Sequence, residues 1–191
     1  MTAIQGILLA AGSGRRFGCH KLLHPLASGE LMGIAAARNL ITALPNTLAI
    51  IRPDDHQLAE RFDAMGLKVV ENGQPEQGMG RSLALGIGSS AAAAGWVVAL
   101  ADMPWIAPQT ILTVAHELKR GASLVAPVFQ GRRGHPVGFG QKWRGPLQAL
   151  RDDHGARHLL ATHPHELVLL PTDDRGILLD IDHHSDLNPL S

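Results

Sequence analysis

The chain has 191 residues, 45% of them apolar, and 17 basic residues balance 17 acidic ones. That composition fits one folded domain with a substantial core and excludes an intrinsically disordered chain. Zero net charge leaves no global field for nucleic acid or an anionic membrane, and the lone cysteine, Cys19, excludes an intramolecular disulfide and argues against a cysteine zinc site. No apolar run nears the roughly 20 residues that span a bilayer, and no leader pattern opens the chain, so a cytoplasmic protein is expected.

Apolar runs of β character recur along the chain: Ile4–Ala10, Thr47–Ile51, Leu67–Glu71, Trp96–Leu100, Ser123–Pro127 and Glu166–Leu170. Helical segments separate them. Leu31–Ala43 and Arg81–Ala94 are rich in Ala and Leu, and Asp54–Met65 opens on acidic residues suited to a helix N-terminus. Pro108–Arg120 starts with proline and stops before Gly121. Alternating strands and helices predict an α/β fold: a single Rossmann-like domain with a mostly parallel twisted sheet, helices on both faces. The glycine-rich stretch GRRGHPVGFGQKWRG interrupts the alternation and predicts a small β-excursion near 128–145.

The richest segment is ILLAAGSGRRFGCHKLL, from Ile7 to Leu23. A buried strand breaks at Ala11-Gly12-Ser13-Gly14 and runs at once into Arg15, Arg16 and Lys21. Glycines let backbone N–H groups close on phosphate oxygens, and the cations add charge-assisted contacts. Two common glycine fingerprints fail on spacing. Phe17 stands where G-x-G-x-x-G needs its third glycine, and G-x-x-x-x-G-K-[ST] is absent because Lys21 is followed by Leu22. Ligands in open α/β sheets sit at the carboxyl ends of strands. The Gly12 loop, the Gln74–Gly80 loop and the Ala101-Asp102-Met103-Pro104 turn would all lie on that edge.

LAAGSGRRFGCHKLL resembles the opening signature of nucleotidyltransferases, L-A-A-G-x-[GS]-x-R-[FM]-G-x-x-K, and most closely that of the molybdenum cofactor cytidylyltransferases. The likeness continues in order through Glu71-Asn72 with Gln77–Leu83, Ala101–Pro104, Gly134-His135-Pro136-Val137, Leu147–Leu160 and Asp180-Ile181-Asp182 with Asp186-Leu187. It departs at His183-His184-Ser185, at Ala27–Met32 and at Asp152-Asp153. These departures bear on the second substrate more than on nucleotidyl transfer.

The resemblance implies transfer of CMP from CTP to the phosphate of molybdopterin, with release of pyrophosphate and Mg²⁺ (or Mn²⁺) as cofactor. Such chemistry is positioning plus charge neutralisation. The nucleotide would be held by Leu9, Ala10, Ala11, Gly12, Ser13, Gly14, Arg15, Arg16 and Lys21, with Gly78, Met79 and Ser82 near the base. Arg16 is the motif arginine, and Arg15 occupies a variable position. Lys21, Arg16 and Asp102 are the expected catalytic residues. Ser82 has a second reading, as a helix cap. Asp102 is a hard oxygen ligand suited to Mg²⁺, or alternatively a cap for the helix at Pro108.

Asp180 and Asp182 alternate along an expected strand, so only one can share a metal with Asp102. Asp182 is preferred, because related transferases place an oxygen ligand at the matching position. Gly134, His135 and Pro136 are expected to face the acceptor substrate. Arg132 and Arg133 would bind its phosphate or form a solvated loop tip. Ala10-Ala11-Gly12 matches cytidylyl relatives, where guanylyl relatives carry Ala-Gly-Gly. The motif order places nucleotide binding mainly in residues 1–100, and metal and acceptor binding mainly in 101–191. The rival readings are transfer of another nucleotide or to another phosphorylated acceptor, and, from a different class, a carrier of the finished dinucleotide; a molybdenum hydroxylase is the implied recipient. The eleven histidines, including His154/His158 and His183/His184, read as surface residues rather than metal ligands.

Overall fold

In the computed structural model, described for residues 3–12, 14, 17, 20–151 and 155–187, the apolar runs become strands of one sheet. β1 (Ile4–Leu9), β2 (Thr47–Ile51), β3 (Lys68–Glu71) and β4 (Gly95–Leu100) are mutually parallel, in the spatial order β3-β2-β1-β4. Each is followed by a helix or an irregular loop that returns the chain across the sheet. The helices are α1 (Met32–Ala43), α2 (His56–Ala64), α3 (Met79–Ser89) and α4 (Pro108–Lys119).

Three boundaries follow from local chemistry. Asp55 caps α2 by accepting from the Leu58 amide at 3.4 Å. Gly78, at φ +87°, turns the chain into α3 in a left-handed conformation that suits glycine. Pro108 fills the first turn of α4, where its missing N–H costs nothing.

The second half is built differently. β5 (Leu124–Phe129) turns through Gln130 and Gly131, both at positive φ, into β6 (Arg132–Arg133), and the chain returns as β7 (Val137–Gly140). The glycine-rich stretch therefore does more than project from the sheet. β7 inserts between β4 and β5, antiparallel to both, and only the β5–β6 turn stands clear. Glycine explains the insertion: a Cβ at Gly138 would press on Val114 and Leu118 of α4, and one at Gly95 would meet the Phe139 carbonyl. β8 (Leu167–Pro171) lies parallel to β5 on its other side. The short helices α5 (Arg144–Gln148) and α6 (Arg157–Thr162) complete the chain's regular structure.

Successive residues of the central strands bury to opposite faces. Leu8, Ala49, Val97 and Ala99 pack with α1, α2 and α4, through Leu40, Phe62 and Val114. Ile7, Leu9, Leu48, Ile50, Trp96 and Val98 pack with α3, α5 and α6, through Leu83, Ile87, Leu147 and Leu160. Strands covered on both faces read as near-continuous apolar runs, which is why they stand out in the sequence. No described helix is long and apolar enough to cross a membrane.

Candidate active site

The carboxyl ends of β1 and β4 lie side by side, and their next residues stay bonded: the Ala101 amide donates to the Leu9 carbonyl at 3.0 Å. This contact sets the glycine turn beside the acidic turn. Ala10 and Ala11 are buried on opposite core layers, while Gly12 is exposed, with open space where a Cβ would stand. Gly14 has φ +54°, and its carbonyl accepts from the Phe17 amide at 2.9 Å. The expected phosphate contacts Ser13, Arg15 and Arg16 lie outside the described residues, as do Gly18, Cys19, Asp152, Asp153 and His154.

Lys21 opens a short 3₁₀ turn and is only 9% exposed. Its ammonium lies 2.9 Å from Asp102 Oδ2 and 3.2 Å from Asp182 Oδ1. Three of the four side chains named as catalytic or metal-binding, all but Arg16, thus meet from positions 81 and 161 residues apart along the chain. Asp102 Oδ1 is buried and accepts no hydrogen bond from the described residues. Asp102 does not cap α4, because a different carboxylate does so. Asp174 Oδ2 accepts from the Ala107 amide at 2.9 Å and from the Thr110 hydroxyl at 2.7 Å, and Oδ1 accepts from the Gly176 amide at 2.9 Å.

The strand expected across Asp180 to Asp182 does not form; that backbone is irregular. The Ile181 amide donates to the Asp102 carbonyl at 3.0 Å, and the Ile181 side chain packs with Phe17 and Met32. One apolar anchor therefore fixes the last acidic segment to both the glycine turn and the Asp102 turn. Asp186 Oδ2 accepts from the Asp182 and His183 amides at 2.9 and 2.7 Å, which sets the backbone from which Asp182 projects. Those amides, His183 first, hold the Asp186 carboxyl below its usual value. Of the expected surface histidines, His184 stacks on Phe17 at 4.0 Å between ring centres, with His24 edge-on to both.

Gly78, Met79 and Ser82 lie on the same edge, where the loop after β3 enters α3. Gly78 is the cap position; Met79 is 44% exposed. Ser82 is buried inside the helix, and its hydroxyl accepts from Asn72 Nδ2 at 3.0 Å. Asn72 Oδ1 in turn accepts from the Gln74 amide at 3.0 Å. Asn72 and Ser82 thus shape the loop leading to Gly78.

On the other flank, the Gly134 amide donates to the Pro127 carbonyl and the His135 amide to the Ile177 carbonyl, both at 3.0 Å. A Cβ on Gly134 would run into that Ile177 carbonyl. His135 Nδ1 is buried and has no hydrogen-bond partner among the described residues. Burial pushes the imidazole's pKa down, against the smaller opposite pull of Asp102 and Asp180. Pro136 is buried after a cis peptide bond, and Arg132 and Arg133 are exposed. Asp174 and Asn72 had no reading as supports in the sequence. An Asp two residues before a glycine, Asp174-Arg175-Gly176, is the one local signal for the first.

Residues 6–167 match the model of the MobA-like NTP transferase domain. The chain belongs to that family. Two curated relatives match this chain over nearly its whole length and theirs. Nicotine blue oxidoreductase of Paenarthrobacter nicotinovorans is 27% identical over 95% of this chain and 93% of its own. Purine catabolism protein PucB of Bacillus subtilis is 28% identical over 93% and 90%. Among solved structures, Rv0371c of Mycobacterium tuberculosis superposes with a TM-score of 0.85 at 24% identity, covering 99% of this chain and 97% of that one. The same protein in complex with manganese gives 0.83 at 23%, covering 99% and 98%. The MobA-like fold is thus shared end to end. Nucleotidyltransferases of this kind typically use a divalent metal.

Proposed function

We propose that this protein transfers CMP from CTP to the phosphate of molybdopterin, giving the cytosine dinucleotide cofactor and pyrophosphate. One observation carries the reading. A buried lysine and two carboxylates converge at the strand ends beside a glycine turn. This constellation serves attack of one phosphate on another, where positioning and charge neutralisation do most of the work.

The residues suit a divalent cation. Asp102 keeps a buried carboxylate oxygen with no hydrogen-bond partner among the described residues, and Asp182 offers a second hard donor across the site. Two carboxylates plus substrate phosphates are a typical set for Mg²⁺, which would polarise the triphosphate and neutralise its developing charge. Mn²⁺ has the same donor preference. The Gly12 turn cradles the triphosphate tail. Lys21 neutralises charge at the α-phosphorus as the acceptor phosphate oxygen bonds to it and the bond to the pyrophosphate oxygen breaks. The attacking phosphate is already ionised, so no general base is required.

The acceptor lies toward Gly134, His135 and Pro136, with a neutral His135 imidazole at the floor. CTP is preferred on the Ala10-Ala11-Gly12 sequence, a modest discriminator because a single methyl separates it from the guanylyl pattern. The name of PucB supports a role in heterocycle catabolism, where a molybdenum hydroxylase would receive the product.

The test is pyrophosphate release with CTP, molybdopterin and Mg²⁺, run beside GTP and ATP. Asp102→Ala is expected to lose about a hundred- to a thousandfold of the rate, the range of a removed charge-stabilising group. Full activity in that variant sinks the metal assignment, and equal turnover of GTP sinks the CTP assignment. Tight binding of the finished dinucleotide without pyrophosphate release would make the protein a carrier.

A further inference from the structure

Lys21 occupies the point between Asp102 and Asp182 at which a bridging cation would sit. We propose that Lys21 is the resident counter-cation of this carboxylate pair and competes with the divalent metal for it. Metal and nucleotide then load cooperatively, because the triphosphate draws the ammonium away. The inference rests on the metal reading above and adds the order and coupling of loading.

Three observations carry it. The ammonium contacts both carboxylates at once, at 2.9 and 3.2 Å, so it offsets part of their charge. The residue is only 9% exposed, so an ammonium stripped of both partners would be costly to leave where it stands. A metal bridging the same oxygens would stand about 2.1 Å from each, too close to leave the ammonium in place. A metal arriving alone must therefore break the ammonium's contacts with both carboxylates. A triphosphate on the Gly12 turn, a short step along the same edge, supplies the alternative anion. Linkage makes the effect reciprocal: whatever the nucleotide adds to metal affinity, the metal adds to nucleotide affinity.

Asp102 Oδ1 provides the opposing geometry. It is buried and has no hydrogen-bond partner among the described residues, so a metal taking that oxygen alone would leave Lys21 where it is. The two arrangements differ in what removal of the ammonium does.

The experiment is Mn²⁺ titration, followed by electron paramagnetic resonance without nucleotide, on wild type, Lys21→Gln and Lys21→Arg, each with and without Asp102→Asn. Competition predicts Mn²⁺ binding at least about tenfold tighter in Lys21→Gln, within the usual range of coupling between sites. Lys21→Arg keeps the charge and should stay near wild type. Equal affinity in wild type and Lys21→Gln, abolished by Asp102→Asn, overturns the competition and leaves the metal reading standing. Binding that ignores Asp102→Asn, or no binding at all, overturns both. Should Lys21→Gln fold poorly, wild type gives the answer alone. The hydrogen-bond coupling between Lys21 Nζ and the Asp102 carboxylate, measured by NMR, is lost on Mg²⁺ saturation under competition. Its persistence at saturation overturns the proposal.

Discussion

The two halves of the sheet do different work. From β1 to β4 the strands are parallel and joined by helical crossovers, with β1, β2 and β4 buried on both faces. From Asp102 onward the chain runs through an antiparallel insertion, short 3₁₀ turns and irregular segments held by side-chain carboxylates. The regular half offers open backbone at its edge, as at Gly12. The irregular half presses backbone against backbone, as at Gly134 and Gly176. Substitutions should separate them: the first half loses ligand before it loses fold, and the second loses fold and ligand together.

Gly134→Ala puts the comparison to its strongest test. The new methyl meets the Ile177 carbonyl that receives the His135 amide, so backbone must shift. Overpacking of this kind costs about 1–3 kcal/mol, read as a lower denaturation midpoint at unchanged m-value. Gly12→Ala meets open space and should stay within about 0.5 kcal/mol of wild type, as surface changes usually do. Its triphosphate affinity should fall, because the methyl stands where phosphate oxygens approach. Equal stability loss at the two glycines would break the comparison.

Asp174→Ala comes next. It strips the Ala107 amide and Thr110 hydroxyl of their partner and frees the Gly176 turn. Loss of a cap costs about 0.5–2 kcal/mol. Thermal unfolding reads the loss, and an undiminished midpoint would show that α4 needs no support from the irregular half.

The same contrast explains what the sequence made legible. Gly12, Lys21 and Asp102 sit where an apolar strand ends, and strands buried on both faces announce themselves as long runs. Their convergence could be expected from the rule that ligands gather at such ends. Asp182 was legible as a residue through the family pattern, but its setting was not. A two-residue spacing suggested a strand, whereas Ile181 is instead drawn into the small core with Phe17 and Met32. That tertiary pull overrides the local period. β7 reads as a short strand in the sequence, yet its place between β4 and β5 depends on glycines whose neighbours are distant along the chain. Asp174 was invisible as a cap because its two partners lie 67 and 64 residues away. Local signals carry local geometry, and the irregular half is fixed by contacts that have none.

The smallest effect is a pH dependence that belongs to the second half. His135 is held neutral by burial, with its pKa below the ordinary 6.5. The unfolded chain therefore binds a proton that the folded chain resists once the pH drops below 6.5. Stability is full above that value and declines as pH falls toward the lowered folded value. Asp182 and His183 amides depress the Asp186 carboxyl below 3.8, so its contribution holds above 3.8 and is lost only as pH falls further. The two losses begin at different pH, below 6.5 for His135 and below 3.8 for Asp186. His135→Gln cannot charge, and should flatten the decline that begins below pH 6.5 while leaving the acid limb from Asp186 unchanged. Asp186→Asn should do the reverse. A His135→Gln profile that still falls in the upper window would place the titrating group elsewhere. Asp102, Asp180, Arg133 and Arg157, whose charges act on this imidazole, are then the first neighbours to vary.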